Sequence, residues 1–518
     1  MNTLILTAYW LAIGALAVYG LNCYVLSLQF MRLRRRRTLE LESTQDASTA
    51  ESNELPFVTV QLPVYNERLV IDRLIESTCA IRYPADRFEI QVLDDSNDET
   101  TAHIAKLVTR FRSQGVDIAH LHRPQRTGYK AGALAEGLAI SRGEWIAIFD
   151  SDFVPGPDFL ERTAPFFNKP DIGVVQCRWE HLDRDYNALT KLQGLAIDGH
   201  FGVEQAARSW SRWFLNFNGT AGIWRRQAID EAGGWEGDTL TEDLDLSYRA
   251  QLKGWRIEFL LTTGVPAEIP ADMASFKSQQ RRWAKGSIQT ARKLLGRVLR
   301  ADLRWTVKIQ AVMHLTHYLI HPLMLIVALL SVPVHFPTAS TAGMGSLMAA
   351  CLLIGTCGPT TLYVISQKAL GRRSRRTLRS LPTLMLVGTG IALSNSVAVA
   401  QALWGKPSEF VRTPKRRVVG QQRAVHGAYS LPPDRLPFAE IGLACWTAAG
   451  CVLHLNGGYR LFSPFLLLYA AGFATVAIYS IRESRERSLA SSESEVLSRL
   501  PDTPGQPKIS NETQTPVA

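Results

Sequence analysis

The chain has 518 residues and a formal net charge of +10, with 46% hydrophobic and 20% charged residues. That hydrophobic content excludes wholesale disorder, and 7 scattered cysteines without close zinc-type pairs exclude a disulfide scaffold. The positive surplus points to a polyanionic partner, either nucleic acid or an anionic membrane face, and its placement along the chain separates the two.

Residues 4–30 are almost wholly apolar, enough to cross a hydrocarbon core of about 30 Å. The run ends at Arg32, Arg34, Arg35, Arg36 and Arg37. A cleavable signal peptide carries its charge before the apolar core, so this order predicts an anchor over 1–37 with its C-terminal end in the cytosol. Residues 38–54 are polar and Ser/Thr-rich and read as a linker. Over 55–270, strand patterns at 57–62, 88–93, 118–122 and 145–149 alternate with helical ones at 70–81, 100–112 and 131–140. That alternation predicts an α/β domain with a doubly wound, mostly parallel sheet. Ligands bind such sheets at the carboxyl ends of the strands. Residues 271–300 hold an amphipathic, basic helix (276–299) suited to the cytosolic membrane face. Apolar runs at 307–332, 345–367, 438–455 and 461–481 predict further spans of an α-helical multi-pass bundle over 301–482. A run at 381–404 has basic flanks on both sides, which the positive-inside rule keeps cytosolic, so it reads as interfacial or re-entrant. The segment 405–423 follows as a cytosolic loop, and 483–518 reads as a disordered tail. The basic residues concentrate at 32–37 and 368–435, where apolar runs meet the cytosolic leaflet. The surplus is therefore a topology signal with membrane lipid as partner, and no nucleic-acid recognition motif accompanies it.

Five polar clusters carry candidate chemistry. Asp150-Ser151-Asp152 closes a hydrophobic strand, and carboxylates at i and i+2 point the same way. They can share a divalent cation, or one of them can simply cap a turn. Asp94 and Asp95 also follow a strand, where a carboxylate can bind a ribose or base edge while Asp98 caps the next helix. Lys130, in Gly128-Tyr129-Lys130-Ala131-Gly132, opens a helix, a position suited to a diphosphate. Thr241-Glu242-Asp243 precedes a helix whose dipole favours an ionised Asp243, able to act as general base or only as a cap. Gln279, Arg282 and Trp283 combine amide, guanidinium and indole, groups that suit a sugar and a leaving diphosphate as well as a membrane anchor.

All five clusters occur in one chain, in the order Asp94-Asp95, 128–132, Asp150-Ser151-Asp152, 241–243 and 279–283. The sequence resembles the membrane-embedded family-2 glycosyltransferases of the cellulose-synthase superfamily, which carry D-D, D-x-D, T-E-D and Q-x-x-R-W in series. It looks most like the cellulose-synthase-like A and C enzymes, which make β-mannan, glucomannan or β-glucan. The resemblance implies a GT-A-type fold and an inverting, processive transfer from GDP-mannose or UDP-glucose to a β-1,4-linked polysaccharide passed across the membrane. It implies that Asp94, Asp95 and Lys130 bind the donor, that Asp150 and Asp152 hold Mg²⁺ or Mn²⁺, and that Asp243 is the base. Arg282 would face the donor diphosphate, and Gln279, Trp283 and Glu242 the acceptor. Phe410-Val411-Arg412-Thr413-Pro414-Lys415 resembles the family's gating loop, F-x-x-T-x-K, and implies donor contacts from Thr413 and Lys415. Arg412 stands where that family often has valine. Accessory export subunits and an inner or plasma-membrane location with a cytosolic catalytic domain are further implications. A transferase acting on a lipid acceptor and a non-catalytic export protein are the competing readings.

Overall fold

A computed structural model of the chain describes residues 2–47, 55–334, 342–372, 374–406, 412, 414, 415, 417, 434–456 and 460–499. A seven-stranded sheet organises the soluble part. Its strands are β1 (Val58–Val64), β2 (Phe88–Asp94), β3 (Ile118–His122), β4 (Trp145–Ile148), β5 (Ile172–His181), β6 (Gly222–Arg225) and β7 (Arg256–Ala267). Their order is β3-β2-β1-β4-β6-β5-β7. β6 alone runs antiparallel to its neighbours, β4 and β5, so the sheet is mostly parallel. Central strands are buried on both faces: β4 is wholly apolar, whereas β1 and β2 alternate apolar with polar residues. The polar exceptions pair across strands: Thr59 Oγ1 donates to Glu89 at 2.6 Å and Gln61 Nε2 to Gln91 at 3.0 Å.

Helices α2 (Ile71–Cys79), α3 (Thr100–Ser113) and α4 (Tyr129–Ile140) make the β-α-β connections, close to the segments expected at 70–81, 100–112 and 131–140. β1 has β2 on one side and β4 on the other, so the strand order reverses there and opens a crevice at their carboxyl ends. Three later helices bound that crevice: α5 (Ala188–Gly199), α6 (Glu242–Leu252) and α7 (Met273–Arg300).

The apolar part is built from α1 (Asn2–Ala47), α8 (Trp305–Leu315), α9 (Ile320–Leu330), α10 (Ala342–Ala369), α11 (Ser374–Gly390), α12 (Ala392–Leu403), α13 (Leu436–Asn456) and α14 (Ser463–Arg499). Among the described residues, α1, α10, α13 and α14 each contain a stretch long and apolar enough to cross a membrane. Two further apolar stretches are broken. The 305–330 pair bends by 50° and the 377–403 pair by 42°. The first was expected as one span over 307–332. The second covers the run expected at 381–404 as interfacial or re-entrant, and its bend suits a broken span as well as a re-entrant loop. Glycines set the closest helix crossings: a Cβ on Gly20 of α1 would lie 2.7 Å from Gly355 Cα of α10. Small residues let backbones approach where no water drives helices together.

Two expected boundaries are corrected. Residues 38–47 do not form a linker but continue α1, because Leu41 is buried and Arg37 bridges Glu40 at 2.7 Å and Glu258 of β7 at 2.6 Å. The tail does not begin at 483. α14 runs on to Arg499, and Glu483 accepts from the backbone N–H of Met273 at 2.8 Å. That contact satisfies an open donor at the start of α7. Residues 48–54 and 500–518 lie outside the described residues.

Candidate active site

The crevice is lined by residues from both halves of the chain. Tyr65 and Glu67 follow β1, Asp95 follows β2, and Asp150, Ser151 and Asp152 follow β4. Lys130 comes from the first turn of α4, Glu242 and Asp243 from that of α6, and Gln279, Arg282 and Trp283 from α7. Arg412 and Lys415 complete the lining.

Each acid on the donor side faces a cation. Lys130 Nζ donates to Asp150 Oδ1 at 2.5 Å and to the Gly219 carbonyl at 2.8 Å. Lys415 Nζ donates to Asp152 Oδ2 at 2.7 Å. Arg412 pairs with Glu67 at 3.1 Å and donates to the Tyr65 carbonyl at 2.8 Å. Arg123 grips Asp95 through two bonds of 2.7 Å, and the Arg126 guanidinium lies 3.6 Å from the centre of the Tyr65 ring. Burial works against the charge on Lys130, but Asp150, Glu242 and Asp243 outweigh it and hold its pKa above the ordinary value. Burial also pushes Glu67 up to about 8 despite Arg412 and Lys415.

Asp243 sits one residue inside α6. Burial, reinforced by the charge of Glu242, raises its pKa to about 7, and Lys130 opposes the shift. Glu242 is raised too, chiefly by burial. Gly219 has φ 78°, a left-handed conformation that glycine adopts freely. A Cβ there would meet Asp243 Oδ2 at 3.0 Å and Lys130 Nζ at 3.2 Å. The base candidate and the diphosphate candidate thus converge on one small space.

Of the residues singled out in the sequence, Asp95, Lys130, Asp150, Asp152, Glu242, Asp243, Gln279, Arg282, Trp283 and Lys415 are brought together. Asp94 is not. It is fully buried, accepts from the Ser96 N–H at 2.9 Å and contacts His120 at 2.9 Å, so it braces the end of β2 rather than facing a ligand. Burial opposes its ionisation, but those hydrogen bonds prevail and its pKa falls to about 2. Thr413 lies outside the described residues. Sequence reasoning missed Arg126, Trp179, His181 and Asn218, which also line the crevice. Trp179 and His181 sit at the carboxyl end of β5, and that strand was not predicted.

Asp150 and Asp152 fit a hard divalent cation by their chemistry: oxygen donors at a strand end, each held by an ammonium group where a metal's charge would be. A second acidic cluster, Glu236, Asp238 and Asp245, has ligand-like spacing. Lys293 fills it, at 2.5, 2.8 and 3.1 Å from the three carboxylates, so it is an ion-pair cluster.

Residues 56–286 match the family described as glycosyltransferase like family 2. Glucomannan 4-beta-mannosyltransferase 2 of Arabidopsis thaliana is 33% identical over 466 residues, covering 85% of this chain and 84% of that protein. The chain is a family-2 glycosyltransferase of the cellulose-synthase superfamily. Glucomannan 4-beta-mannosyltransferase 1 of Oryza sativa subsp. japonica is 42% identical over 254 residues, covering 48% of this chain and 49% of that protein. Among solved structures, the mannosyltransferase PcManGT from Pyrobaculum calidifontis, in complex with GDP-Man and Mn2+, has a TM-score of 0.46 and 18% identity, covering 76% of this chain and 100% of its own. This family-2 transferase combines a GT-A-type, mostly parallel sheet with four helices, among the described residues, long and apolar enough to cross a membrane.

Proposed function

We propose that this transferase is an inverting, processive β-glycosyltransferase that extends a β-1,4-linked mannan, glucomannan or glucan from GDP-mannose or UDP-glucose. The observation that carries the reading is the convergence of Asp243 and Lys130 on the space beside Gly219, with Trp283 and Gln279 on the same crevice. The names of its relatives favour mannosyl transfer to glucomannan.

In this mechanism Asp243 takes the proton from the acceptor hydroxyl as that oxygen attacks the anomeric carbon in line, and the sugar–phosphate bond breaks on the far side. A base with a pKa near the working pH is matched to that task. Lys130 and Lys415 exchange carboxylate partners for the departing nucleoside diphosphate, and Arg282 joins them in stabilising its charge. Asp150 and Asp152 would hold a Mg²⁺ or Mn²⁺ ion, which supplies further neutralisation of the diphosphate. Asp95, fixed by Arg123, faces the nucleoside end, with the Tyr65–Arg126 stack beside it. Trp283 offers its indole face to the terminal sugar of the acceptor, with Gln279 and Glu242 as hydrogen-bonding groups.

The growing glycan would leave past Trp283 into the helix bundle of the inner or plasma membrane, with the catalytic domain in the cytosol. Buried polar and aromatic side chains make a series of contacts between the catalytic domain and the bundle. Tyr248 contacts His314 at 2.8 Å, His314 stacks near His317 and Tyr318 near His321, and Asn395 contacts His321 at 2.9 Å. Polar residues inside an apolar bundle mark pathways more often than packing.

The test is incubation of purified membranes with labelled GDP-mannose, UDP-glucose and other nucleotide sugars, followed by product sizing and linkage-specific glycosidase digestion. A β-1,4-linked polymer is expected. A single sugar added to a lipid would replace the proposal with the non-processive reading.

A further inference from the structure

Outside the crevice, α7 carries a cation with no visible reason to be where it is. Lys285 is only 3% exposed, and its ammonium group has no hydrogen-bond partner among the described residues. Burial first, then the nearby charges of Lys406 and Arg281, depress its pKa. An ammonium removed from water without a partner is costly, and two neighbouring cations add to the cost. Lys285 does not line the crevice, so the donor diphosphate does not account for it.

The surroundings define what would. Lys285 lies on the side of α7 that meets the C-terminal end of α12. Lower on the same side, Arg292 donates to the Ala402 carbonyl at 2.5 Å and tethers that end. The next residues of the chain are apolar and bare: Leu403 is 52% exposed and Trp404 is 84% exposed. An exposed tryptophan beside lysine at the end of an apolar helix is the composition of a membrane–water boundary. A phosphate-bearing anion at that level would face three cations and cancel the unpaired charge of Lys285.

We propose that Lys285, Arg281 and Lys406 form a binding site for the phosphate of an anionic phospholipid headgroup, at the junction of α7 and α12. The site is separate from the donor crevice. It would make the helix bearing the Gln279, Arg282 and Trp283 cluster sensitive to the lipid in the cytosolic leaflet. Lysine and arginine near a leaflet surface are drawn to anionic lipid.

The experiment uses the full chain in nanodiscs of phosphatidylcholine alone, or with phosphatidylglycerol, with thermal melting as the readout. Wild type is expected to melt higher in the anionic discs. Lys285→Met should lose that shift, and in pure phosphatidylcholine should melt at or above wild type because an uncompensated charge has gone. Lys285→Arg should keep the shift. A Lys285→Met protein with the full lipid shift, or one that melts equally lower in both discs, would overturn the site. A shift of equal size from inorganic phosphate in phosphatidylcholine discs would overturn its assignment to lipid. None of these readouts depends on sugar transfer, so the outcome is independent of the proposed reaction.

Discussion

The crevice and the helix bundle handle charge in opposite ways. Around the crevice, carboxylates and cations are dense and paired: Asp150 with Lys130, Asp152 with Lys415, Glu67 with Arg412, Asp95 with Arg123, with Lys130 also facing Glu242 and Asp243. In the bundle, charge is sparse, and contacts rest on glycines and small residues, as where Gly390 of α11 meets Gly472 of α14. Its prominent buried ion pair, Lys277 of α7 with Glu440 of α13 at 2.8 Å, sits where the bundle meets the catalytic domain. The difference follows from what each region must do. Crevice pairs can be exchanged for a ligand's charges at little net loss, because one partner replaces another. A pair in the bundle has no such replacement, so losing one member leaves a charge stranded.

The largest test of this contrast is at the centre of the crevice. Asp243→Asn should lower kcat by about 10³-fold while nucleotide affinity stays near wild type, as measured by turnover assays and calorimetry. Near-normal turnover would remove Asp243 as the base. Its pKa of about 7 also predicts that kcat/KM falls as pH drops below about 7. Stability carries the sign of a raised acid. The folded pKa lies above the ordinary 3.8, so the contribution is present below that value and lost as pH rises through about 7. Asp243→Asn should therefore melt higher than wild type at pH 8.

Next in size is the metal. Chelation should abolish transfer, and Mg²⁺ or Mn²⁺ should restore it. Asp152→Asn should weaken metal binding in calorimetry; unchanged affinity would remove Asp152 from the ligand set. In the bundle, Lys277→Met should cost about 3–5 kcal/mol in chemical or thermal unfolding, because Glu440 is then buried alone. Adding Glu440→Gln should recover much of that loss, and failure to recover would show that Lys277 acts through something other than the pair. Smallest of all, the exposed Arg82–Glu161 pair at 2.8 Å is screened by solvent, so Arg82→Ala should leave both the melting temperature and activity near wild type.

Much of the first half of the sheet was legible because its signals are local. Alternating apolar residues define β1 to β4, and the polar clusters fall where those strands end. The later strands were not legible. β5 ends in polar residues, β6 has only four, and β7 has irregular register against β5, so none presents a clean period. Asp94 and Asp95 look equivalent in sequence. Their roles part only because Asp94 sits in the last register position of β2, opposite His122 of β3, while Asp95 is turned toward Arg123.

By itself the sequence determined the family, the order of its chemical motifs and the apolar runs, since each depends on residue type and short-range spacing. Only the tertiary structure decided which groups meet. It joined Lys415 to Asp152 and Arg412 to Glu67 across more than half the chain, paired Arg37 of the basic stop in α1 with Glu258, and set Glu483 at the start of α7. Those partnerships are matters of charge complementarity and desolvation between distant segments, and no local period encodes them.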